Sequence, residues 1–446
     1  MNDTLTEKAI DNRPDADADA DALAVERFLL TRERFGMRFG LDRMRRLLAV
    51  LGDPQDEYPA VHVVGTNGKS STTLMIGAAM TAQRLKVGCF TSPHLRCFRE
   101  RIALGDSIAG AEAFAEAGTR VRAAIESLDA CSDADDRVTQ FEAIAAIAFR
   151  VFAEERVELA VVEAGLGGRL DATNVLGDSR VQVLTGIGVD HTEYLGETIE
   201  EIAHEKLAVV RSRGTLVCGR LGAAAERQAN NIADERDARL VHVREEDSAF
   251  AGLPGAFVRR NASLAIAAAE VAAHRLRPGL TFDITRGAGA IADFVVATRL
   301  EGRLQVTNVE PFELRDAAHN EEAAEALIES LPDVVGERTV TLLVAMMSDK
   351  RIGPTLSVLL GAVGADDVVV CTQSSNPRSV TADRIAAEAR SQVPAGVRIE
   401  VEPSPFAALD RAREIAGRDG ALLVTGSNYL LADLARGPAT SGGATL

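Results

Sequence analysis

The stretch Val61-His62-Val63-Val64-Gly65-Thr66-Asn67-Gly68-Lys69-Ser70-Ser71-Thr72-Thr73 has the pattern of a strand, a glycine-containing loop and a helix. Glycines let backbone N–H groups turn toward phosphate oxygens, and the following helix N-terminus adds positive potential. In such a loop Lys69 reaches the β- and γ-phosphates, and a hydroxyl of Ser70 or Ser71 meets Mg²⁺. The full phosphate-loop pattern has glycine where this chain has Val63. The predicted nucleotide-binding residues are Gly65, Thr66, Asn67, Gly68, Lys69, Ser70 and Ser71.

Short apolar runs alternate with helical patterns on both sides of this loop. The first series has predicted strands at 60–64, 88–91, 158–162, 181–187 and 215–218, and predicted helices at 69–84, 141–153, 199–210 and 261–275. The second has strands at 339–345, 366–371, 398–401 and 421–424, and helices at 321–331, 381–390 and 405–416. Apolar runs without alternation are typical of parallel strands. We therefore predict an α/β protein with a phosphate-loop NTPase-like, doubly wound domain followed by a smaller Rossmann-like α/β domain.

The ends of the chain differ in composition from its middle. Alternating aspartate and alanine at 15–21 make the start self-repelling, and 437–446 are small and polar. We predict a disordered acidic tail at 1–21, an ATP-binding domain at 22–297, a Rossmann-like domain at 298–436 and a flexible tail at 437–446. The boundary between the two domains is expected near Thr298.

Bulk composition restricts the class of protein. The chain has 446 residues and a formal charge of −17, which disfavours binding to a nucleic-acid backbone. It has no apolar run long enough to span a bilayer, and its five cysteines are scattered. We therefore expect a cytoplasmic protein that acts on small molecules, with no nucleic-acid and no membrane partner.

Three further motifs follow predicted strands. Thr91-Ser92-Pro93-His94-Leu95 offers the Ser92 hydroxyl to a metal, and Glu163 ends an apolar strand, as the acidic Mg²⁺ ligands of phosphate-loop enzymes do. The run Gly188-Val189-Asp190-His191 offers a neutral imidazole to a second ion. Because the carboxyl ends of parallel strands share one edge of a sheet, these motifs and the phosphate loop are expected to meet there.

The second series has its own polar loops. Arg303 is placed to reach phosphates, and Asp316 is placed to reach a ribose or an adenine edge. His319, at the start of a helix, could face the nucleotide. The later loops containing Lys350, Arg378 and Ser427 have the pattern of ordinary turns and caps.

Lysine is rare in this chain. Of 49 basic residues 44 are arginine, so a lysine inside a motif indicates a need for amine chemistry. Glu205-Lys206 allows two interpretations. One is a surface ion pair, and the other is a catalytic lysine that becomes carbamylated and binds metal.

Together these residues resemble the folylpolyglutamate synthase / dihydrofolate synthase family of the Mur-ligase superfamily, from about residue 34 to residue 434. The resemblance implies that Lys69, Lys206 and His319 are catalytic, and that Asn261, Arg303 and Asp316 join the phosphate loop in contacting ATP. It implies metal ligation by Ser92, Glu163 and His191, with two Mg²⁺ ions. It implies acceptor contacts from Thr139, Phe141 and Glu142, a monomer, and pterin or folate, L-glutamate and ATP as ligands. The chain departs from the usual family pattern at Ser70, Ala317 and Glu321 and has no tryptophan.

The expected activity is transfer of the γ-phosphate to a carboxylate, followed by attack of the glutamate amine on the acyl phosphate. Three alternatives stay open at this stage. They are a Mur-type ligase acting on another carboxylate, a phosphate-loop kinase or ATPase, and a non-catalytic nucleotide-binding regulator.

Overall fold

The computed structural model describes residues 16–33, 36, 38–131, 133, 136–276, 279–297, 300–365, 367–393 and 396–438. The strands are β1 (Ala60–Val64), β2 (Val87–Phe90), β3 (Ile102–Leu104), β4 (Ser107–Ile108), β5 (Leu159–Glu163), β6 (Val181–Leu184), β7 (Thr215–Cys218), β8 (Arg239–His242), β9 (Gln305–Val309), β10 (Phe312–Arg315), β11 (Val340–Val344), β12 (Val368–Cys371), β13 (Arg398–Val401) and β14 (Ala421–Thr425). The helices are α1 (Ala16–Arg32), α2 (Asp42–Val50), α3 (Lys69–Ala82), α4 (Ala111–Asp129), α5 (Gln140–Glu154), α6 (Thr192–Leu195), α7 (Ile199–Leu207), α8 (Ala223–Glu235), α9 (Ala256–Leu276), α10 (Ile284–Val296), α11 (Glu321–Val335), α12 (Ile352–Leu359), α13 (Ala382–Arg390), α14 (Pro405–Ala416) and α15 (Asn428–Arg436).

The first sheet brings the four sequence motifs together. Its order is β4-β3-β2-β5-β1-β6-β7-β8, and the six strands from β2 to β8 are parallel. The strands that precede the motifs, β2, β5, β1 and β6, are neighbours in this order. Their carboxyl ends therefore lie at one edge of the sheet, which confirms the expectation that the motifs meet.

Helices cover both faces of this sheet. Side chains that alternate along β1 and β5 enter two different cores, with Val161 facing α3, α9 and α10 and Val162 facing α1, α2, α4 and α5. A third apolar cluster joins β6 and β7 to α7 and α8. This covering on both faces explains why the parallel strands are apolar at almost every position.

The second sheet has the order β13-β12-β11-β14-β10-β9, with β9 antiparallel to β10 and the other pairs parallel. One of its faces packs on α14 and α15. The other belongs to the same continuous apolar core as α3 and α9, because α11 packs on α9. The two sheets thus confirm the predicted pair of α/β series, and they share buried surface.

Some predicted bounds need correction. Residues 16–21 are helical rather than disordered, because alanine favours helices, aspartate suits a helix N-terminus, and the rest of α1 buries Val25 and Leu29. Residues 1–15 and 439–446 of the predicted tails, and the expected boundary at Thr298, lie outside the described residues. The predicted helix 261–275 starts five residues earlier, at Ala256, and the predicted strand 181–187 ends at Leu184. No helix in the described part of the chain is both long and apolar enough to cross a membrane.

Candidate active site

Two glycines shape the loop that joins β1 to α3. Gly65 and Gly68 have φ angles of +152° and +80°, a region that residues with a Cβ rarely adopt. A Cβ on Gly68 would lie 2.8 Å from Oδ1 of Asn261, on α9. The Nζ of Lys69 donates to the carbonyl oxygens of Gly65 and Thr66, both at 3.1 Å. The loop backbone therefore approaches α9 closely, and the lysine is folded over the loop.

The acidic end of β5 lies against the loop after β2. Glu163 is buried, and its Oε2 accepts the backbone N–H of Ser92 at 3.0 Å. The Ser70 hydroxyl donates to the carbonyl oxygen of Ser92 at 3.3 Å. Burial raises the pKa of Glu163, and the charge of Lys69 opposes this rise. The Glu163 carboxylate and Ser92 thus lie together next to Ser70 of the phosphate loop.

One lysine of α7 lies beneath the phosphate loop. Lys206 is 4% exposed, and its Nζ donates to the carbonyl oxygen of Gly65 at 2.9 Å. Burial and, to a smaller extent, the charge of Lys69 together lower the pKa of Lys206 from 10.5 to about 7. The interpretation of Glu205 and Lys206 as a surface ion pair is therefore wrong. Glu205 instead pairs with Arg169, at 2.8 Å. An amine with this pKa is uncharged in a large fraction of molecules at neutral pH.

Asp190 connects the two sheets of the protein. Its carboxylate accepts from Lys350 Nζ at 2.6 Å and from Asn320 Nδ2 at 2.8 Å, and it lies 3.6 Å from His319 Nε2. Burial by itself would raise the pKa of Asp190, but His319 and Lys350 lower it well below its usual range. The His319 Nδ1 donates to the carbonyl oxygen of Ala317 at 2.7 Å, because a carbonyl can only accept. The Nε2 of His319 is therefore the nitrogen that can exchange a proton.

His191 follows Asp190 in a left-handed conformation, with φ of +51°. Burial and, to a smaller extent, the charge of Lys350 together lower the pKa of His191 to about 4. The His191 Nε2 lies 3.5 Å from Lys350 Nζ. The imidazole is thus neutral at pH 7, as a metal ligand must be, with a lysine next to it.

Asp316 organises two loops of the second sheet. Its two carboxylate oxygens accept the backbone N–H groups of Leu304 at 2.9 Å and Ala318 at 2.8 Å. Burial raises the pKa of Asp316 above its usual value, and the nearby charge of Arg303 offsets only part of this rise. The carboxylate therefore holds in place the segments that carry Arg303 and His319. The sequence prediction of a nucleotide contact by Asp316 did not include this role.

The start of α5 carries the predicted acceptor contacts. Thr139 and Glu142 form a reciprocal capping box, and Glu142 also pairs with Arg43 at 3.1 Å. Phe141 lies next to Phe90, with ring centroids 6.0 Å apart. The capping box thus fixes the direction in which α5 presents the Phe141 ring.

One cavity of about 900 Å³ gathers these groups. Every predicted site residue except Gly65 lines it, and Gly65 contributes the carbonyl oxygen that Lys69 and Lys206 share. Among the other lining residues, which were not predicted as site residues, are Arg101, Asp190 and Lys350. The rarity of lysine was a signal for Lys350. The roles of the predicted residues stay predictions, since geometry gives their positions only.

The oxygen donors at this cavity suit a magnesium ion that is also held by phosphates. Within the described residues, no group of three or more His, Cys, Asp and Glu side chains has an arrangement that would hold a metal. Magnesium bound with a nucleotide needs only one or two carboxylates, with the rest of its shell from phosphates and water. Glu163, Ser92 and Ser70 fit this requirement. At the second predicted metal site, His191 is a suitable ligand because its imidazole is neutral. Lys350, however, already places a positive charge beside it.

Comparison with known proteins agrees with this arrangement. The Mur ligase middle domain matches residues 63–269, and the Mur ligase glutamate ligase domain matches residues 302–428. The dihydrofolate synthase/folylpolyglutamate synthase of Bacillus subtilis is 32% identical over 353 residues, which cover 72% of this chain and 78% of that protein.

Solved structures extend the similarity over nearly the whole chain. The Mycobacterium tuberculosis folylpolyglutamate synthase complexed with ADP matches with a TM-score of 0.81 and 28% identity, covering 96% of this chain and 100% of the other. A bifunctional folylpolyglutamate synthase/dihydrofolate synthase with Mn, AMPPNP and L-glutamate bound matches with a TM-score of 0.74 and 28% identity, covering 92% and 96%. The chain therefore belongs to the folylpolyglutamate synthase/dihydrofolate synthase family of Mur ligases.

Proposed function

We propose that this protein is an ATP-dependent ligase that joins L-glutamate to dihydropteroate, to tetrahydrofolate or to both, in folate metabolism. One observation carries the proposal. Groups from two sheets, the phosphate loop with Glu163 on one side and His319 with Lys350 on the other, line a single cavity of about 900 Å³. A cavity shared by two domains can bring a nucleotide, an acid and an amine together.

The ligands of the relatives support the nucleotide, the metal and the amino acid in this assignment. One relative binds ADP, and another binds Mn, AMPPNP and L-glutamate. A divalent metal, a nucleotide and an amino acid are the partners that a ligation of this kind requires. The substrates proposed for this chain are accordingly small molecules. Action in the cytoplasm, as a monomer without nucleic-acid or membrane partners, is part of the proposal, and light scattering of the purified protein tests the monomer.

The first step transfers the γ-phosphoryl group of ATP. A carboxylate oxygen of the acceptor acid forms a bond to the γ-phosphorus, the bond from that phosphorus to the β,γ-bridging oxygen breaks, and ADP leaves with the electron pair. Lys69 and the N–H groups at the start of α3 bind phosphate oxygens. Buried Glu163, with Ser92, would hold an Mg²⁺ ion, which would supply positive charge to the phosphates, and His191 would hold a second Mg²⁺.

The second step forms the amide bond. The glutamate ammonium group loses one proton, and its nitrogen then bonds to the acyl carbon. The bond from that carbon to the phosphate oxygen breaks, and phosphate leaves with the electron pair and takes up the second proton that the nitrogen gives up. The Nε2 of His319 is placed to accept the first proton, because Nδ1 donates to the carbonyl oxygen of Ala317 and the Asp190 carboxylate lies 3.6 Å from Nε2. Asp190 and Lys350 stay oppositely charged across the boundary between the sheets.

The test is an acceptor-dependence assay on the purified protein. Phosphate release should require ATP, Mg²⁺, L-glutamate and either dihydropteroate or tetrahydrofolate together, with a new amide detected by mass spectrometry. Phosphate release without an amine would favour a kinase or ATPase. Release with a different acid and amine pair would favour a Mur-type ligase for another carboxylate. Nucleotide binding without any turnover would favour a regulator.

We further propose that Lys206 reacts with CO₂ to form a carbamate that assists metal binding. The amine nitrogen bonds to the carbon of CO₂ and one proton is released, which requires the uncharged amine that the lowered pKa provides. Lys206→Arg should abolish ligation, since a guanidinium keeps its charge. Added short-chain carboxylates should restore activity to Lys206→Ala but not to Lys69→Ala. Near-normal turnover of Lys206→Arg would refute the carbamate.

A further inference from the structure

A buried arginine with no proposed role lies at the wall of the active-site cavity. Arg101 ends the short 3-10 helix Phe98–Arg101, immediately before β3. It is only 4% exposed, yet it is one of the residues that line the cavity. A charged side chain with so little exposure normally has an ion-pair partner.

Arg101 has a neutral partner instead of an anionic one. Its Nε donates to Nδ1 of His94 at 2.9 Å, and its guanidinium lies 5.3 Å from the centroid of the Phe98 ring. Among the residues that the structure describes, no carboxylate lies within 4.0 Å of its nitrogens. A buried charge without a counter-ion is costly, and a bound anion removes that cost.

The position of Arg101 restricts which anion it can receive. Glu163 is the carboxylate whose charge acts most strongly on Arg101, and both side chains line the cavity, although the two do not form an ion pair. Glu163 contacts Ser92 and lies beside the phosphate loop, where the γ-phosphate of ATP would lie. An anion bound by Arg101 would therefore lie next to the group that is transferred.

We propose that Arg101 binds the carboxylate of the acceptor acid, the group that becomes the acyl phosphate, and that His94 is its positioning residue. This inference rests on the proposed function and adds the residue that holds the reacting group. The guanidinium donates from its Nη atoms to the carboxylate oxygen that does not attack phosphorus. The same contact stabilises negative charge on that oxygen when the amine later attacks the acyl carbon.

His94 determines the direction of this guanidinium. Because Nδ1 accepts the Arg101 N–H, the ring proton is on Nε2 and the imidazole is neutral. The ring is buried and packs against Phe98, with centroids 4.5 Å apart. Its fixed position engages the Nε edge of Arg101 and leaves the opposite edge for a ligand.

The first experiment replaces Arg101 and measures binding and kinetics separately. Arg101→Gln should raise KM for the acceptor acid on the order of 100-fold, the loss expected for a charge-assisted pair of hydrogen bonds. The Kd for AMPPNP should change less than about twofold. The matched control is Arg99→Gln, two residues away in the same 3-10 helix and not part of the cavity wall. An unchanged acceptor KM, or a loss confined to AMPPNP affinity, would overturn the inference.

A second measurement does not depend on the identity of the substrate. Benzoate, a simple aromatic carboxylate, should bind the AMPPNP-loaded wild-type protein at millimolar concentration and fail to bind Arg101→Gln. If both proteins bind benzoate equally, Arg101 is not the carboxylate site, even if ligation itself is confirmed. If benzoate binding depends on Arg101 but no pterin acceptor supports turnover, the proposed substrate fails and the carboxylate site stands.

The positioning role of His94 has its own readout. His94→Gln offers an amide oxygen that can still accept from Arg101, whereas His94→Leu offers no acceptor. We expect His94→Leu to raise the acceptor KM at least tenfold at an unchanged AMPPNP Kd, and His94→Gln to restore most of the loss. Equal effects of the two variants on AMPPNP and acceptor binding would indicate a merely structural role and contradict the assignment.

Discussion

At the scale of single residues, the site depends on charged side chains held away from water. Lys206 has its amine beneath the phosphate loop, Asp190 lies between two histidines and a lysine, and Glu163 is fully enclosed. Each of these groups has a changed pKa because burial penalises its charge or because opposite charges surround it. Such groups destabilise or stabilise the fold according to pH, so their environment can be tested without any substrate.

Lys206 should make the stability of the protein rise with pH above neutrality. Its pKa is about 7 in the folded protein, against a usual value of 10.5. Between these values the unfolded chain binds one more proton than the folded chain, so the free energy of unfolding rises with pH. The slope is at most about 1.4 kcal/mol per pH unit, and it vanishes below pH 7, where both states are protonated.

Urea unfolding at pH 7, 8 and 9 in CO₂-free buffers measures this slope. Lys206→Met, which keeps the length of the side chain without its charge, should flatten it and stabilise the protein at pH 7. A slope that is the same in both proteins would mean that folding does not lower the pKa of Lys206.

At the scale of elements, local sequence patterns are sufficient to predict the helices and strands that determine the fold. The strand–loop–helix unit of β1 and α3 follows from apolar runs and glycines close together in sequence, and so does the acidic end of β5. The ion pair of Asp190 with Lys350 joins residues 160 positions apart, and no local pattern carries that information. The alternating aspartates at 15–21 predict disorder, but residues 16–21 are helical because, besides their local helix preference, they continue α1, which packs on α4.

The loop between β1 and α3 should not tolerate a side chain at Gly68. Alanine at this φ of +80° is strained, and its Cβ would lie 2.8 Å from Asn261 Oδ1. A strain of about 1–3 kcal/mol in the binding conformation should weaken AMPPNP binding roughly 10- to 100-fold in isothermal titration calorimetry. Gly222→Ala, where a Cβ meets nothing within 4 Å, should bind as the wild type does. Unchanged affinity in Gly68→Ala would show that the loop conformation is not required.

The first turn of α5 should report which of two roles Thr139 has. As the N-cap of α5, Thr139 stabilises the helix through Glu142, so Thr139→Ala should lower the free energy of unfolding by about 1 kcal/mol. Thr139→Ser keeps the capping hydroxyl and should be nearly neutral in chemical unfolding. If Thr139 mainly contacts the acceptor acid, Thr139→Ala will instead raise the acceptor KM and leave the unfolding midpoint unchanged.

At the scale of the whole molecule, the two sheets are joined by interactions of two kinds. Exposed ion pairs such as Arg260–Glu329 lie at the edge, with side chains 29% and 55% exposed. The pair of Lys350 and Asp190 lies inside, with both side chains 9% exposed, and α11 packs on α9 in the shared core. Exposed pairs are worth roughly 0–1 kcal/mol, whereas losing one partner of a buried pair costs about 3–5 kcal/mol.

Lys350→Met should therefore loosen the contact between the two sheets far more than Arg260→Gln. Asp190 would keep Asn320 and His319 as partners, which reduces the cost in free energy of unfolding to about 2–3 kcal/mol. Because the cavity is built across this contact, kcat/KM for glutamate should fall with it, and the radius of gyration from small-angle scattering should increase. Arg260→Gln should leave the free energy of unfolding and the radius of gyration unchanged within error. It is a control for these two quantities only, because Arg260 also lines the cavity. If Lys350→Met loses activity at unchanged stability and size, the lysine acts on the bound substrates rather than on the closure of the two sheets.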